Sequence, residues 1–401
     1  MRIGVYGGTF NPPHLGHITA AKAVFELLKL DRLLLIPARE PPHKVLPAGS
    51  PTAGQRLELT RLAADQMGLG GNVQVLDIEL RREGKSYTSD TLEQLHAQYP
   101  DAEFWLLMGT DMFLTFQAWR DPAKILGLAG IAAFGRTQSD TRELFLVQQD
   151  YLHRTYPDAR IFTLTLPHVV EISSTELREE LGRGGGQQYL PPAVYGYILR
   201  QGLYGTAADL KHLTPEQLRP VALSYLKHKR IPHVLGTEQE AVRLAERYGA
   251  DVKMAREAAL LHDCTKKLDT EEQLELCSRY GVELDELERN ALKLMHAKTG
   301  AAVAKYVFGE PEEVVEAIRW HTTGKAGMSV LEKVLYLADY IEPNRDFPGV
   351  EELRQACYRS LDEGLLMGLQ MTADEMNQRG NPIHKNTLEA LSELKGKNGR
   401  G

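Results

Sequence analysis

Along the first half of the chain, short apolar runs alternate with amphipathic stretches. The runs lie at residues 2–6, 32–36, 73–78, 104–108, 130–134 and 160–164, and most are unbroken and rich in Leu, Ile, Val and Phe. That is the pattern of strands buried on both faces. Between them, apolar residues recur at helical spacing over 18–30, 55–67 and 89–98. Strand and helix in alternation predict an α/β domain, a Rossmann-like, mainly parallel sheet covered on both sides. After a closing helix predicted at 191–203 the alternation stops. Helical patterns then follow one another at 221–229, 239–248, 255–261, 271–280, 287–307, 311–321 and 330–340, and on to about 394. This half is predicted to be an all-α helical bundle. Gly205 opens a break, and Thr214 with Pro215 reads as a capped helix start. The pattern therefore predicts domains at 1–204 and 214–401, joined by a linker at 205–213.

A chain of 401 residues is long enough for two separate cores. With 25% charged and 43% hydrophobic residues its composition is that of a soluble globular protein. The net charge of -7 offers no general basic surface for nucleic acid or for a membrane. Cys264, Cys277 and Cys357 have no CxxC spacing, and an odd count does not suggest a disulfide framework, so a reducing compartment fits. No apolar run reaches the ~18 residues of a membrane span, and no leader-like segment opens the chain. A cytoplasmic location is expected.

In a parallel sheet the ligand sits beyond the carboxyl ends of the strands, so the loops that follow strands carry the chemistry. After the first run come Gly7, Gly8, Thr9 and Phe10, then His14 and His17 flanking Leu15 and Gly16. The glycines let the backbone approach a ligand, and the helix beyond points its positive end into the same space. Two imidazoles add donors for a phosphate oxygen. Lys44 ends a proline-stiffened loop after the second run, where it can neutralise a triphosphate. Thr88 lies among hydroxyls after the third, and Gly109 and Asp111 follow the fourth, ahead of the aromatic Phe113, Phe116 and Trp119. Ile172, Ser173, Ser174 and Arg178 combine a helix start, two hydroxyls and a guanidinium, a clamp for pyrophosphate. Singly, these loops read equally as a stiff surface turn, a helix cap and a packed helix face. The glycines between 182 and 186 read as a flexible connection.

The string from Gly7 to His17 resembles the signature loop of the HxGH nucleotidyltransferase superfamily. The whole motif set, in its order and spacing, resembles the bacterial nicotinate-nucleotide adenylyltransferases over residues 1–204. That resemblance implies an ATP site of Gly7, Gly8, Thr9, Phe10, His14, His17, Gly109, Asp111, Ile172, Ser173, Ser174 and Arg178. In it the phosphates lie at the two histidines, the two serines and the arginine, and the ribose lies near Gly109 and Asp111. It implies nicotinate mononucleotide near Lys44, Thr88, Trp119 and Arg136. Catalysis would rest on His14, His17, Lys44 and Arg178, with Mg2+ accompanying ATP. The acceptor phosphate would attack in line with no covalent enzyme intermediate.

In the helical half, His233, His262, Asp263, His296, His321 and Asp339 stand on otherwise apolar stretches. Each is costly to bury unless something repays the desolvation, and a metal would. Their order resembles the HD superfamily of metal-dependent phosphohydrolases over about 214–395. The run of His321, Thr322, Thr323 and Gly324, with Ala338 to Pro343, narrows the resemblance to the YqeK-type branch. That branch is associated with symmetrical hydrolysis of diadenosine tetraphosphate to two ADP. Six such ligands exceed what one open catalytic metal needs, which favours two divalent metals bridged by Asp263. Carboxylates among imidazoles without thiolates favour iron, with manganese as the other choice, over structural zinc. Lys266, in the HDxxK register, is a candidate phosphate ligand or a solvated lysine. A bifunctional enzyme is the expectation. Two alternatives stand beside it: a nucleotide-sensing helical module without catalysis, and nicotinamide mononucleotide as the preferred acceptor.

Overall fold

The computed structural model describes residues 1–41, 45–135, 137, 140–166 and 170–398. The chain divides into two units, Met1–Ala207 and Ala208–Gly401, and the division falls inside the 205–213 stretch where the pattern changes.

In the first unit, strands β1 (Arg2–Gly8), β2 (Arg32–Pro37), β3 (Val73–Val75), β4 (Glu103–Gly109), β5 (Ala129–Phe134) and β6 (Ile161–Leu164) form one sheet. Every pairing is parallel, in the order β3-β2-β1-β4-β5-β6. The helices are α1 (Leu15–Leu27), α2 (Ala53–Asp65), α3 (Thr88–Gln98), α4 (Thr110–Leu114), α5 (Pro122–Leu128), α6 (Arg142–Thr155), α7 (Ser174–Gly182) and α8 (Pro192–Gln201). This is the parallel α/β architecture that the alternation predicts. On one face Ile3, Val5, Leu34, Ile36, Phe104, Leu106, Ile131 and Ala133 share a core with Leu92, Phe113 and Phe145 from the helices. Because β1 pairs with both β2 and β4, the strand order reverses between β1 and β4. A crevice opens beyond the carboxyl ends of those two strands, where ligands of such sheets bind.

Two boundaries differ from the sequence expectation for local reasons. Strand β3 stops at Val75 instead of residue 78, since the Asp77 carbonyl accepts the N–H groups of Leu80 and Arg81 at 2.9 and 3.1 Å and turns the chain away. Helix α1 starts at Leu15 rather than 18. His17 Nδ1 accepts the His14 N–H at 3.2 Å, closing a reciprocal cap across the first turn.

The second unit is helical: α9 (Pro215–Leu223), α10 (Ile231–Tyr248), α11 (Val252–Leu261), α12 (Thr270–Tyr280), α13 (Glu286–Asn290), α14 (Leu292–Val303), α15 (Glu312–Trp320), α16 (Val330–Ile341), α17 (Val350–Arg359), α18 (Leu361–Gln378) and α19 (Lys385–Asn398). Helix α10 begins at Ile231, so His233 lies in its first turn. The single helix expected over 287–307 is instead α13 and α14, with a break at Ala291 (φ -124°, ψ 90°) and a π turn at Ala304–Phe308. Asn290 Nδ2 donates to the Glu286 carbonyl at 2.9 Å and closes α13 on itself. Helices α10, α11, α14, α15 and α16 pack around a core that includes Leu261, Val314, Val334 and Leu337. Cys264, Cys277 and Cys357 are buried free thiols. Among the described residues no helix is long and apolar enough to cross a membrane.

Candidate active sites

The crevice at the β1/β4 reversal is a cleft of about 980 Å3. Gly7, Gly8, Thr9, Phe10, His14, His17, Thr88, Gly109, Asp111, Trp119, Ile172, Ser173, Ser174 and Arg178 all line it. Residues spread over most of the unit thus meet in one place. Lys44 and Arg136, the other two expected contacts, lie outside the described residues.

The His14 and His17 rings stand 3.8 Å apart between centroids. Gly16 permits this, because a Cβ there would come within 3.0 Å of the His14 ring. Since His17 Nδ1 accepts a backbone N–H, the proton of a neutral His17 resides on Nε2, which makes that nitrogen a donor. Across the cleft, Ser173 is the N-cap of α7. Its Oγ accepts the Glu176 N–H at 3.2 Å while Glu176 Oε2 accepts the Ser173 N–H at 2.9 Å. The helix therefore points its N-terminal partial charge at the cleft. Arg178 donates to the Asn11 carbonyl at 2.9 Å and to Thr175 Oγ1 at 3.1 Å, which ties α7 to the loop after β1.

Two charged residues not singled out by the sequence pattern support this cleft. Arg56, 1% exposed, donates to the carbonyls of Thr9 at 3.0 Å, Ala38 at 2.6 Å and Arg39 at 3.1 Å. It pins the loops that leave β1 and β2. Glu79 accepts the Thr91 hydroxyl at 2.7 Å in the wall near Thr88. Burial raises its pKa, opposed by Thr91, Arg82 and Ser86.

In the second unit, the six candidate ligands converge from the first turn of α10, the C-terminal ends of α11, α15 and α16, and the middle of α14. His233 Nε2 lies 2.9 Å from Asp339 Oδ1. Asp263, fully buried, splits its carboxylate. Its Oδ2 faces His262 Nε2 at 3.5 Å and His233 Nε2 at 3.9 Å, and its Oδ1 faces His296 Nε2 at 3.1 Å and His321 Nε2 at 4.0 Å. Helix ends explain the ring orientations. The Nδ1 atoms of His262 and His321 pair with the carbonyls of Ala259 and Ile318, each at 2.6 Å, acceptors that a helix C-terminus leaves unused. His233 Nδ1 pairs with Glu342 Oε1 at 3.1 Å. In all three the Nε2 lone pair is left facing inward.

Burial, partly offset by Asp263, lowers the His262, His296 and His321 imidazoles to about 4, so they are neutral near pH 7. Although burial works the other way, His262, His296 and Lys266 hold the Asp263 carboxyl well below its ordinary value. Lys266 Nζ lies 3.1 Å from His296 Nε2 and 3.4 Å from Asp263 Oδ1. Arg230, which the sequence pattern did not mark, pairs directly with Asp263 Oδ2, and Arg345 donates to Asp339 Oδ1 at 2.8 Å.

Among the described residues, the buried His262 Nε2 has no hydrogen-bond partner, and His233 Nε2 and Asp263 Oδ1 meet only other members of the same cluster. Buried polar atoms aimed at one another in this way suit a cation. The ligand atoms of His233, His262 and Asp339, and of His262, Asp263 and His321, lie within 4.8 Å of one another. A third such group, Asp285, Glu288 and His384, is a helix cap whose carboxylates already pair with Lys298 and Lys385.

A parallel sheet with a cleft at its reversal point, followed by a helical His/Asp centre, defines a nucleotidyltransferase unit ahead of a metal-site hydrolase unit. Residues 5–180 match the family model described as Cytidylyltransferase-like, and residues 230–344 match the HD domain. HD domains bind divalent metals, which these donors fit. The chain is 35% identical over 222 residues to a probable nicotinate-nucleotide adenylyltransferase of Desulfatibacillum aliphaticivorans, covering 51% of this chain and 100% of that protein. It is 38% identical over 174 residues to the symmetrical bis(5'-nucleosyl)-tetraphosphatase of Bacillus subtilis (strain 168), covering 43% of this chain and 92% of that protein. A crystal structure of a predicted HD superfamily hydrolase involved in NAD metabolism from Clostridium acetobutylicum is 41% identical, covering 46% of this chain and 98% of that one, with a TM-score of 0.45. The chain belongs to the nicotinate-nucleotide adenylyltransferase family in its first half and, in its second, to the HD-domain family of the symmetrical tetraphosphatase.

Proposed function

We propose that the chain is a bifunctional enzyme. Its first unit transfers the adenylyl group of ATP to nicotinate mononucleotide, giving nicotinate adenine dinucleotide and pyrophosphate. Its second unit hydrolyses diadenosine tetraphosphate symmetrically to two ADP. The observation that carries the hydrolase reading is the split carboxylate of Asp263, with two histidines facing each oxygen. Likeness to relatives over nearly their whole length supports both halves.

In the first unit Mg2+ enters with ATP as part of the substrate. His14, His17, Arg178 and the start of α7 with Ser173 and Ser174 take the phosphates. The Gly7 to Phe10 backbone and Ile172 frame the nucleotide, and Gly109 and Asp111 meet the ribose. Thr88 and Trp119 hold the nicotinate ring, with Lys44 and Arg136 as anion contacts. The acceptor 5'-phosphate oxygen bonds to the α-phosphorus as the bond to the β-phosphate oxygen breaks, and the electron pair leaves with pyrophosphate. Catalysis is positioning and charge neutralisation, which calls for donors and not for a nucleophile.

In the second unit His233, His262, Asp339 and one oxygen of Asp263 would hold one divalent metal. His296, His321 and the other oxygen would hold a second, iron or manganese in each case. Bound metals lower the pKa of water and neutralise phosphate charge. The backbone bonds of His262 and His321 and the carboxylate of Glu342 keep the donor nitrogens aimed inward. Lys266 takes a phosphate oxygen.

The test is metal analysis of the purified full-length protein, then two assays. Pyrophosphate release is measured with ATP, Mg2+ and either nicotinate or nicotinamide mononucleotide, and product analysis follows incubation with diadenosine tetraphosphate. Pyrophosphate release favouring nicotinate, and ADP as sole hydrolysis product, are expected. ATP plus AMP, or no hydrolysis by the metal-loaded protein, would remove the symmetrical hydrolase reading.

A further inference from the structure

The turn Leu203–Gly205 closes the first unit, and Tyr204 within it has φ 58° and ψ 30°. A bulky side chain enters this left-handed region only where its surroundings hold it there. What holds it is its own phenol, whose O–H donates to Asn11 Oδ1 at 2.7 Å. Asn11, 3% exposed, sits in the loop between β1 and α1. Its Nδ2 donates to Ser50 Oγ at 3.1 Å, and its carbonyl accepts from Arg178 at 2.9 Å. Three distant parts of the chain therefore meet on one residue of the loop that leads to His14 and the first turn of α1, where His17 lies. Burial, partly offset by Arg178 and Arg56, pushes the Tyr204 pKa well above its ordinary value, so the phenol stays a donor at neutral pH.

We propose that Tyr204 is a positioning residue for adenylyl transfer. Its O–H fixes Asn11, and the Asn11 carbonyl in turn holds the Arg178 guanidinium at the cleft. The proposal rests on the adenylyl-transfer reading above. It also makes the exit segment part of the catalytic framework, since the stretch by which the chain leaves the first unit, just before Ala208, is bonded to the phosphate loop.

The test uses Tyr204→Phe in the full-length chain, which keeps the ring and removes only the O–H. With ATP, Mg2+ and nicotinate mononucleotide, kcat for pyrophosphate release should fall about tenfold, as for one hydrogen bond that matters in the transition state. KM for nicotinate mononucleotide should stay within about twofold, since Tyr204 acts on the ATP side. Asn11→Ala deletes the same bond from the other partner, together with the bond to Ser50, and should lose at least as much. In that background Tyr204→Phe should cost nothing further. Parent-like kcat in Tyr204→Phe, or losses that multiply in the double variant, would overturn the proposal while leaving the function intact. A parent protein that releases no pyrophosphate would overturn the function reading, and the positioning role with it.

Discussion

On the proposed reading His17 serves two purposes with one ring, and they can be separated. Its Nδ1 caps α1 through the His14 N–H, and its Nε2 would donate where charge builds on a phosphate oxygen. His17→Ala should therefore cost about 1 kcal/mol of stability as a lost cap, and about 3 kcal/mol, or roughly a hundredfold, in kcat. His17→Glu can restore the cap, since its carboxylate accepts the His14 N–H, without restoring the donor. Parent-like kcat in the Glu variant would reduce His17 to a helix cap. Asp263 offers the corresponding test in the second unit. Asp263→Asn keeps the size and removes the charge that lets one side chain face two cations. Metal content should drop by at least one ion per chain and hydrolysis of diadenosine tetraphosphate should be lost, while pyrophosphate release stays near the parent level. Unchanged metal content and hydrolysis would end the bridging assignment. The candidate metal donors stood out in the sequence because histidine and aspartate on apolar stretches break the pattern around them. Arg56 was not. It stands in a helix among Gln55, Glu58 and Arg61 and reads as part of a solvated face, yet its acceptors are carbonyls of residues 9, 38 and 39. Only the fold brings those together.

Secondary-structure elements were legible where one face is steadily apolar and less so where caps decide. Strands β1, β2, β4 and β5 follow the apolar runs closely, whereas β3 is cut short by the Asp77 turn and the 287–307 helix is broken at Ala291 by local hydrogen bonds. The glycines after α7 show the same limit. Gly184 and Gly186 adopt φ of 82° and 80° in a hydrogen-bonded turn that closes the helix onto the carbonyls of Glu180 and Leu181, so they terminate α7 in a defined way. One junction of elements makes a pH prediction. Glu257 on α11 and Glu310, which follows the π turn, interact as a pair of carboxyls. Burial, with Glu257 beside it, pushes Glu310 up to about 8 from 4.5. A raised acid keeps its proton in the folded chain where the unfolded chain has lost it, so between those values folding binds protons. Stability should fall as pH rises through that window. Glu310→Gln removes the charge and should flatten the fall, leaving the second unit more stable than the parent at pH 9 and little changed at pH 5. Equal pH slopes in thermal midpoints for parent and variant would show that the pair does not bear on stability.

At the level of the whole chain, the change from alternating strands and helices to helices alone marks where one unit gives way to the other, and hydrogen bonds place the boundary more finely. Thr206 Oγ1 donates to the carbonyls of Ile198 and Leu203 at 3.2 and 2.8 Å, and Tyr204 is bonded to Asn11. These residues therefore belong to the first unit. Asp209 accepts the Lys211 N–H at 3.0 Å and pairs with His212 at 2.6 Å, and the Lys211 side chain lies beside Gly309, so this stretch belongs to the second. Each unit has its own buried core, the condition for folding alone. Fragments 1–207 and 208–401 should each be soluble, show one cooperative thermal transition, and carry adenylyl transfer and diadenosine tetraphosphate hydrolysis respectively. A fragment ending at residue 203 loses Tyr204 and the turn around it. It should transfer adenylyl groups at least about tenfold more slowly than 1–207, because a hydrogen bond to the phosphate loop is gone. The comparison of 1–203 with 1–207 is the sharper measurement. If 1–203 matches 1–207 in rate and midpoint, the exit segment is only a tether. If both 1–207 and 208–401 aggregate, the two cores depend on each other and the boundary has to move.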